Sequence, residues 1–285
     1  MTQGQHLREE GFSLIEMAVV VVIMSLLLGG LLGPLAAQQD AQKTAETRRL
    51  LEEVREGLLG FAAVQGRLPC PDRLADGDGL EDPREDGADP PEDGCGGGEY
   101  GGWVPWVTLG VSPRDAWGRR LRYRVTRELT RRVGDPSAAA CVAAPPGGAG
   151  SATASASSSV AASHNPCTLE LGDPGDITVQ GRDLATRAER LVARELAAVV
   201  LSLGPNGLGG VDVAGAPLPP PAAGAEDELR NLDLDATFVA RDRSPTASGC
   251  RDSTAAAPPC EFDDLLLWVS PHILYNRLVS AGRLP

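Results

Sequence analysis

The residue whose chemistry is most constrained is Glu16, a carboxylate at the edge of an otherwise apolar run. Residues 17–37 contain no charged side chain and are interrupted only by one serine, three glycines and one proline. At about 1.5 Å of rise per helical residue, this run spans about one bilayer core. An unpaired charge inside a bilayer costs ~2.5 kcal/mol or more, so Glu16 requires a cationic partner.

Residues 11–17, with the sequence GFSLIEM, closely resemble the class III signal of type IV prepilins. In that family a dedicated peptidase cuts after the glycine and methylates the new N-terminal amine. The resemblance therefore implies cleavage between Gly11 and Phe12 and N-methylation of Phe12. The family's glutamate pairs with the N-terminal amine of a neighbouring subunit, which implies an assembly role for Glu16. Pro34 matches the position where many pilin helices carry a proline that lets the helix bend or melt locally.

A cleavable secretory signal is the competing interpretation of this N-terminus. Such a signal has a positively charged region next to the apolar run and small residues at the cleavage site. Here Glu9 and Glu10 stand near the run, Arg8 is the leader's one strong positive charge, and Leu35 occupies the place of a small residue. The sequence therefore favours a prepilin leader, and a following domain of this size is expected to cross the membrane largely regardless of charge.

Other residues that could do chemistry form no catalytic pattern. His164, Ser248 and Asp263 are residue types that hydrolases use, but the chain has no nucleophile elbow, zinc-protease helix sequence or glycine-rich phosphate loop. His272 falls on a C-terminal helical pattern, where a surface or half-buried position is expected. We therefore expect no enzyme activity and no cofactor.

Asp76 and Asp78 are the candidate calcium ligands of the sequence. Residues 76–79, Asp-Gly-Asp-Gly, resemble a fragment of a calcium loop. Counted from Asp76, however, the sixth position is not glycine and the twelfth is not glutamate, so the EF-hand pattern fails. The segment is interpreted as a solvated acidic loop, with calcium binding as the alternative.

The six cysteines stand in loop-like sequence beside proline, glycine or alanine, and no two form a CxxC pair. If the domain is exported, an even number of cysteines predicts structural disulfides. Many pairings are open. Proximity in sequence favours Cys70–Cys95, Cys141–Cys167 and Cys250–Cys260.

A long N-terminal helix must position the apolar run. Between residues 38 and 65, small and apolar residues recur near one helical face and charged residues solvate the other. The first set is Ala41, Ala45, Leu51, Leu58 and Ala62, and the second is Arg48, Glu52, Arg55 and Glu56. The helix of residues 12–37 is therefore expected to continue through residues 38–66, where a glycine followed by two prolines ends it.

Residues 67–285 are expected to form a globular head with long loops. Residues 71–102 are acidic and glycine-rich, which predicts a surface loop tied by Cys70 and Cys95. Residues 136–166 form a low-complexity insertion of alanine, serine, glycine and proline. Strands are predicted at residues 103–109, 121–126, 197–203 and 262–269, and helices at residues 184–196 and 271–282.

Residues 115–118, Asp-Ala-Trp-Gly, together with Tyr123, are similar to a pattern of the major pseudopilin of type II secretion, Asp-Pro-Trp-Gly followed by tyrosine. In residues 120–125, Leu121, Tyr123 and Val125 alternate with arginines. The arginines are expected to form an exposed ridge on the outer face of a strand.

The net charge of −13 is local in origin, because residues 72–99 hold eleven acidic residues against two arginines. Eight arginines between residues 114 and 132 form a basic counterpart that attracts acidic surface. Nucleic acid is not a favoured partner.

The sequence predicts an α+β fold in which a long N-terminal helix, half in membrane and half periplasmic, packs on a small antiparallel sheet with disulfide-tied loops. The resemblance implies a structural subunit, a minor pilin or pseudopilin, of a type IV pilus or a type II secretion pseudopilus. Its expected partners are prepilin peptidase, which removes residues 1–11, other pilins or pseudopilins, and an inner-membrane assembly platform. Its expected location is the inner membrane, as a single-pass protein with a periplasmic head, and then the filament.

Two other function classes stay open at this stage. A tip-located minor pilin with large loops is suited to adhesion, cargo contact or DNA uptake. An anchored periplasmic enzyme is the third class, for which the sequence offers no catalytic constellation.

Overall fold

The computed structural model describes residues 13–73, 77–82, 94–96, 99–130, 174–212 and 214–283, without the side chains of residues 27–36. The chain divides into two compact units, Met1–Ala45 and Glu46–Pro285. One helix, α1, spans Leu14–Gln65 and contributes residues to both units. The other helices and strands of the described residues lie in the second unit.

The end of α1 follows from local chemistry. Gly66 has a left-handed φ of 73°, which a residue without a Cβ adopts at little cost, and its N–H donates to the carbonyl of Ala62 at 2.7 Å. Pro69 follows and removes a donor that a longer helix would need. The helix therefore ends where the sequence predicts.

In the second unit, α1 buries one face in the main hydrophobic core. Leu51, Leu58 and Ala62 lie on this face, as the periodicity predicts. Ala41 and Ala45 were predicted on the same face but are exposed. Both belong to the first unit.

The strands of the described residues form two sheets. They are β1 (Gly101–Trp103), β2 (Arg122–Val125), β3 (Ile177–Arg182), β4 (Glu189–Leu196), β5 (Ala198–Ser202), β6 (Thr237–Val239) and β7 (Leu265–Val269). The first sheet, β1-β2-β5-β7, is antiparallel throughout. In the second, β4-β3-β6, the β3–β4 pair is antiparallel and the β3–β6 pair is parallel. The remaining helices are α2 (Trp106–Leu109), α3 (Glu226–Leu232) and α4 (Pro271–Ser280), with a 3₁₀ turn at Arg127–Thr130.

Strand β5 is buried along its whole length because the first sheet is covered on both faces. Ala198 and Val200 pack into the core that contains α1 and α4. Val199 points the opposite way, into a second core with Ile177 and Phe238 of the second sheet. Successive residues of a strand face opposite sides, so β5 joins both cores. The α+β class and the antiparallel sheet under α1 agree with the prediction, whereas the second sheet was missed.

Two predicted elements are wrong. Residues 103–109 are not one strand, because β1 ends at Trp103 and Pro105 stands two residues later. Helix α2 follows and is capped by Gly110, which has a left-handed φ of 67°. Residues 184–196 are not a helix, because 189–196 form β4. Nearly all of β4 is exposed, so it lacks the alternation of apolar and polar residues that marks a half-buried strand.

The arginines of β2 do not form an exposed ridge. Arg122 is buried, stacks over the ring of Trp103 at 4.9 Å from its centroid, and donates to the carbonyls of Leu232 and Gly209. Arg124 lies 5.7 Å from the ring centroid of Tyr100. Since both faces of this sheet are covered, outward-facing arginines of β2 are covered as well.

Candidate functional site

The N-terminal part of α1 is apolar on every side and uncovered in the single chain. Every described side chain from Ser13 to Leu26 is exposed. Leu14, Ile15 and Leu26 are 92%, 73% and 72% exposed. A helix that is hydrophobic all round needs a membrane or other helices to cover it. This segment is therefore built to be buried by something outside the chain.

Glu16 is the one ionisable residue of this apolar segment and lies in the first turn of α1. The free N–H groups of a helix start stabilise a carboxylate there by about 0.3–1 kcal/mol. This is far less than the cost of burying an unpaired charge, so covering the segment leaves Glu16 in need of a cation. A new helix N-terminus, which carries an amine, has the required charge.

The remaining N-terminal site residues are described only in part. Gly11 and Phe12 lie outside the described residues. Pro34 lies within α1, and its side chain is outside the description. In the part of the chain that the structure describes, no helix has the length and apolar character that crossing a bilayer needs.

The Asp-Ala-Trp-Gly turn contacts α1 directly. The backbone N–H of Ala116 donates to the hydroxyl of Thr47 at 3.2 Å, and Thr47 is fully buried. Asp115 Oδ1 accepts from the backbone N–H groups of Trp117 and Arg119, and its Oδ2 accepts from Ser202 at 2.6 Å. The turn therefore joins α1 to β5.

Burial raises the pKa of Asp115, and the hydrogen bonds from Ser202 and the two backbone groups oppose that shift. Tyr123, the other residue of the resemblance, is fully buried, and its hydroxyl donates to the carbonyl of Pro69 at 3.1 Å. Burial raises the pKa of Tyr123 as well. Asp115, Ala116 and Tyr123 therefore serve as structural groups that connect α1, the turn and the first sheet.

Two disulfides are present in the described residues, Cys70–Cys95 and Cys250–Cys260. Both are pairings that proximity in sequence favours. Cys141 and Cys167 lie outside the described residues. Near the first disulfide, Arg67 forms a two-point ion pair with Glu81 at 2.8 and 2.9 Å, which holds the acidic loop against the end of α1.

The predicted calcium ligands are not brought together in the described part of the acidic loop. Asp78 Oδ1 accepts from the backbone N–H of Leu80 at 2.8 Å, which is a local turn contact. Asp76 lies outside the described residues.

A different group of carboxylates does converge, and sequence reasoning missed it. Glu228 of α3 lies with Asp263 and Asp264, which precede β7, and one oxygen of each lies within 4.8 Å of the others. All three side chains are buried. Burial raises the pKa of Glu228 to about 7 and that of Asp263 to about 6, and it also raises the pKa of Asp264. Two adjacent aspartates directly before the apolar strand β7 were the available sequence signal.

The comparisons with known proteins agree with the N-terminal geometry. An uncovered apolar helix followed by an α+β head with disulfides fits a pilin-like subunit. Residues 7–32 match the family model of the prokaryotic N-terminal methylation motif, which is consistent with a type IV pilin-like protein. No curated protein and no solved structure matches the chain.

Proposed function

We propose that the chain is a structural subunit, a minor pilin or pseudopilin, of a type IV pilus or a type II secretion pseudopilus. The observation that carries this proposal is the uncovered apolar start of α1 with Glu16 as its one ionisable residue, inside the matched methylation motif. A single membrane anchor has no use for a carboxylate at this place. A helix that packs against identical or similar helices does, because a neighbour supplies the cation.

The proposed mechanism has three stages. The chain is first held in the inner membrane by residues 12–37, with its head in the periplasm. Prepilin peptidase then cuts between Gly11 and Phe12 and methylates the Phe12 amine. In the filament, Glu16 pairs with the Phe12 amine of a neighbouring subunit, which offsets the desolvation of both charges. The two disulfides of the head support an oxidising compartment.

A minor or tip position in the filament fits the head better than a repeating one. The acidic segment of residues 71–102 and the insertion of residues 136–166 are bulky additions that would crowd a helical lattice of identical heads. The abundance of the chain relative to other subunits in sheared filaments measures this. A chain that forms most of the filament mass contradicts the minor role and leaves the pilin mechanism intact.

The test of the proposed function combines processing with assembly. Mass spectrometry of the membrane-extracted chain is expected to find a methylated Phe12 at the N-terminus, and Gly11→Arg is expected to abolish this product. Glu16→Gln keeps size and polarity and removes the charge, so it is expected to leave cleavage intact and to remove most of the chain from filaments. A tip subunit with one neighbour fewer tolerates Glu16→Gln better, and Gly11→Arg then decides.

The matched control is Glu53→Gln, which neutralises an exposed glutamate on the part of α1 that packs against the head. It is expected to assemble as the wild type does. If the N-terminus is an intact Met1 or lies beyond the apolar run, the prepilin reading is wrong. If Gly11→Arg and Glu16→Gln both assemble normally, the filament mechanism is wrong.

A further inference from the structure

Helix α1 contains a polar stretch, residues 38–45, between the apolar run and the part that packs on the head. Its sequence is QQDAQKTA, and every side chain in it is exposed except that of Thr44, which is half-buried. The Thr44 hydroxyl donates to the carbonyl of Asp40 within the helix. A helix that is polar on all sides buries no face against its own chain, so the polar stretch is open to a partner.

Two opposite charges of the polar stretch have no partner within the part of the chain that the structure describes. Asp40 and Lys43 form no ion pair there. Further along α1, in contrast, Glu52 contacts Arg55 at 2.6 Å and Glu56 contacts Arg277 at 3.1 Å. The charges of Asp40 and Lys43 are therefore available to groups outside the chain.

Lys43 differs from every other cationic side chain of the protein, because it is the one lysine and all the others are arginines. An ammonium group is a compact charge on a flexible four-carbon stem, so it can turn toward a carboxylate that approaches from several directions. Lys43 lies about 9 Å along the helix axis beyond Ala37, the last residue of the apolar run. It therefore stands just outside the segment that needs covering.

The cover of the apolar run determines the surroundings of Lys43. Under the proposed function, helices of neighbouring subunits cover residues 12–37. A helix rises only about 1.5 Å per residue, so a neighbour that covers the end of the apolar run also passes alongside the polar stretch. Close packing of helices removes water from Lys43, and a charge that loses water needs an opposite charge nearby.

We propose that Lys43 pairs with a carboxylate on the N-terminal helix of a neighbouring pilin-like subunit and thereby sets the axial register of the two helices. This pairing rests on the proposed function. A charged residue at one place in a helix–helix contact specifies register, because a shift along the axis separates it from its partner. Asp40 adds a second requirement, since it lies about one turn nearer to the apolar run and fits a partner whose charges run in the opposite order.

Anionic lipid headgroups are the other source of negative charge for Lys43, because lysines beyond the end of an apolar run reach toward the membrane surface. Asp40 argues against lipid as the partner. It is exposed, lies nearer to the apolar run than Lys43 does, and would be repelled by the same headgroups. A helix with charges of both signs fits Asp40 and Lys43 together.

The test treats sheared filaments that contain the full chain with a water-soluble carbodiimide, which joins an amine to a carboxylate where the two are in contact. Because Lys43 is the one lysine, a covalent pair of subunits joined through a lysine side chain of this protein identifies the residue. Peptide mass spectrometry is expected to find the Lys43 peptide joined to an acidic peptide from the N-terminal helix of the other subunit. A product through the Phe12 amine has a different peptide mass.

Two variants of Lys43 separate its charge from its amine. Lys43→Arg keeps the charge, so it is expected to assemble as the wild type does and to lose the joined product. Lys43→Gln removes the charge and is expected to lower incorporation into filaments roughly 5-fold. The melting temperature of the head is expected to stay unchanged in both, because Lys43 lies outside the main hydrophobic core.

Arg194→Gln is the matched control, because it neutralises an exposed arginine on β4 of the head. It is expected to assemble normally. Normal assembly of Lys43→Gln, or the absence of the joined product from wild-type filaments, overturns the pairing. Loss of Lys43→Gln from the membrane itself would identify lipid as the partner and overturns the pairing as well.

The variant Gly11→Arg distinguishes a failure of this pairing from a failure of the proposed function. If Gly11→Arg abolishes assembly and Lys43→Gln does not, the filament mechanism stands and the pairing of Lys43 alone is wrong. If Gly11→Arg assembles normally, the proposed function is wrong and the pairing is wrong with it.

Discussion

Asp227 and Glu228 are consecutive residues of α3 with opposite electrostatic surroundings. Asp227 is fully buried between two arginines, with Arg182 Nε at 2.8 Å and Arg241 Nε at 2.7 Å from its oxygens. Glu228 faces Asp263 and Asp264. The charge of Asp227 is thus paired with two arginines, whereas the charge of Glu228 is opposed by two aspartates. Neutralising Asp227 is therefore expected to lower the stability of the head, and neutralising Glu228 to raise it.

Neutralising Asp227 is the first prediction. Asp227→Asn leaves the guanidinium groups of Arg182 and Arg241 buried without their shared partner, so it is expected to lower the free energy of unfolding by about 3–5 kcal/mol. Denaturant unfolding followed by circular dichroism measures this.

The control for Asp227 is Glu189→Gln. Glu189 also pairs with Arg182, but its side chain is 41% exposed, so the loss is expected to stay below about 1 kcal/mol. If both variants lower the free energy of unfolding equally, burial does not determine how much these ion pairs contribute to stability.

The turn of residues 115–118 gives the second prediction. Asp115→Ala removes the acceptor of two partly buried backbone N–H groups and of the buried Ser202 hydroxyl. It is expected to destabilise the head by about 3 kcal/mol. Asp212→Ala is the matched control, because Asp212 Oδ1 also accepts from two backbone N–H groups, those of Ala214 and Ala216, but at the surface. Water replaces that acceptor, so Asp212→Ala is expected to destabilise the head only slightly. If it destabilises the head as much as Asp115→Ala does, the structural role of Asp115 is contradicted.

The contact between Thr47 and Ala116 gives the third prediction. Thr47→Val keeps the shape of the side chain and removes the acceptor of the Ala116 N–H, with an expected loss of about 1–2 kcal/mol. Thr44→Val is the control, since the Thr44 hydroxyl donates only to the carbonyl of Asp40 within α1. Thermal unfolding of the two variants compares them, and a Thr44 variant as unstable as the Thr47 variant refutes the contact's importance.

The disulfides give the fourth prediction. Cys70 and Cys95 are separated by 25 residues, and Cys250 and Cys260 by 10. Because a longer closed loop removes more entropy from the unfolded chain, replacing the first pair by serine is expected to cost about 3.5 kcal/mol and the second about 2.7 kcal/mol. Equilibrium unfolding ranks the two variants, and peptide mapping without reduction checks both pairings. A reversed ranking would show that the loop-entropy account fails here.

The parts of the fold that sequence reasoning predicted are those with a local signal. Helix α1 has an apolar run, a periodic face and a glycine-proline stop, all within one continuous segment. Strand β5 is a short β-branched run that a turn closes, and Ser270 with Pro271 marks the start of α4, although Ser270 makes no side-chain capping bond. Each signal depends only on residues that are neighbours along the chain.

The parts that were missed depend on distant partners. Strand β4 is exposed and irregular in register against β3, so its own sequence carries no strand period. The carboxylate cluster joins Glu228 to Asp263 and Asp264 across more than thirty residues. Because the cost of closing a loop changes little with its length, the sequence separation does not predict which distant residues meet. Arg122 was expected at the surface because the groups that cover it, the ring of Trp103 and the carbonyls of Gly209 and Leu232, come from distant parts of the sequence.

The chain leaves α1 through a segment that is fixed to the head at every step. The N–H of Leu68 donates to the carbonyl of Leu129 at 2.8 Å, the carbonyl of Pro69 accepts from Tyr123, and Cys70 is held by its disulfide. A force applied along α1 is therefore distributed over these two hydrogen bonds and the disulfide before it acts on the rest of the head. Under the proposed mechanism, in which the subunit is extracted from a membrane by this helix, we expect the head to stay folded because these contacts bear the force together.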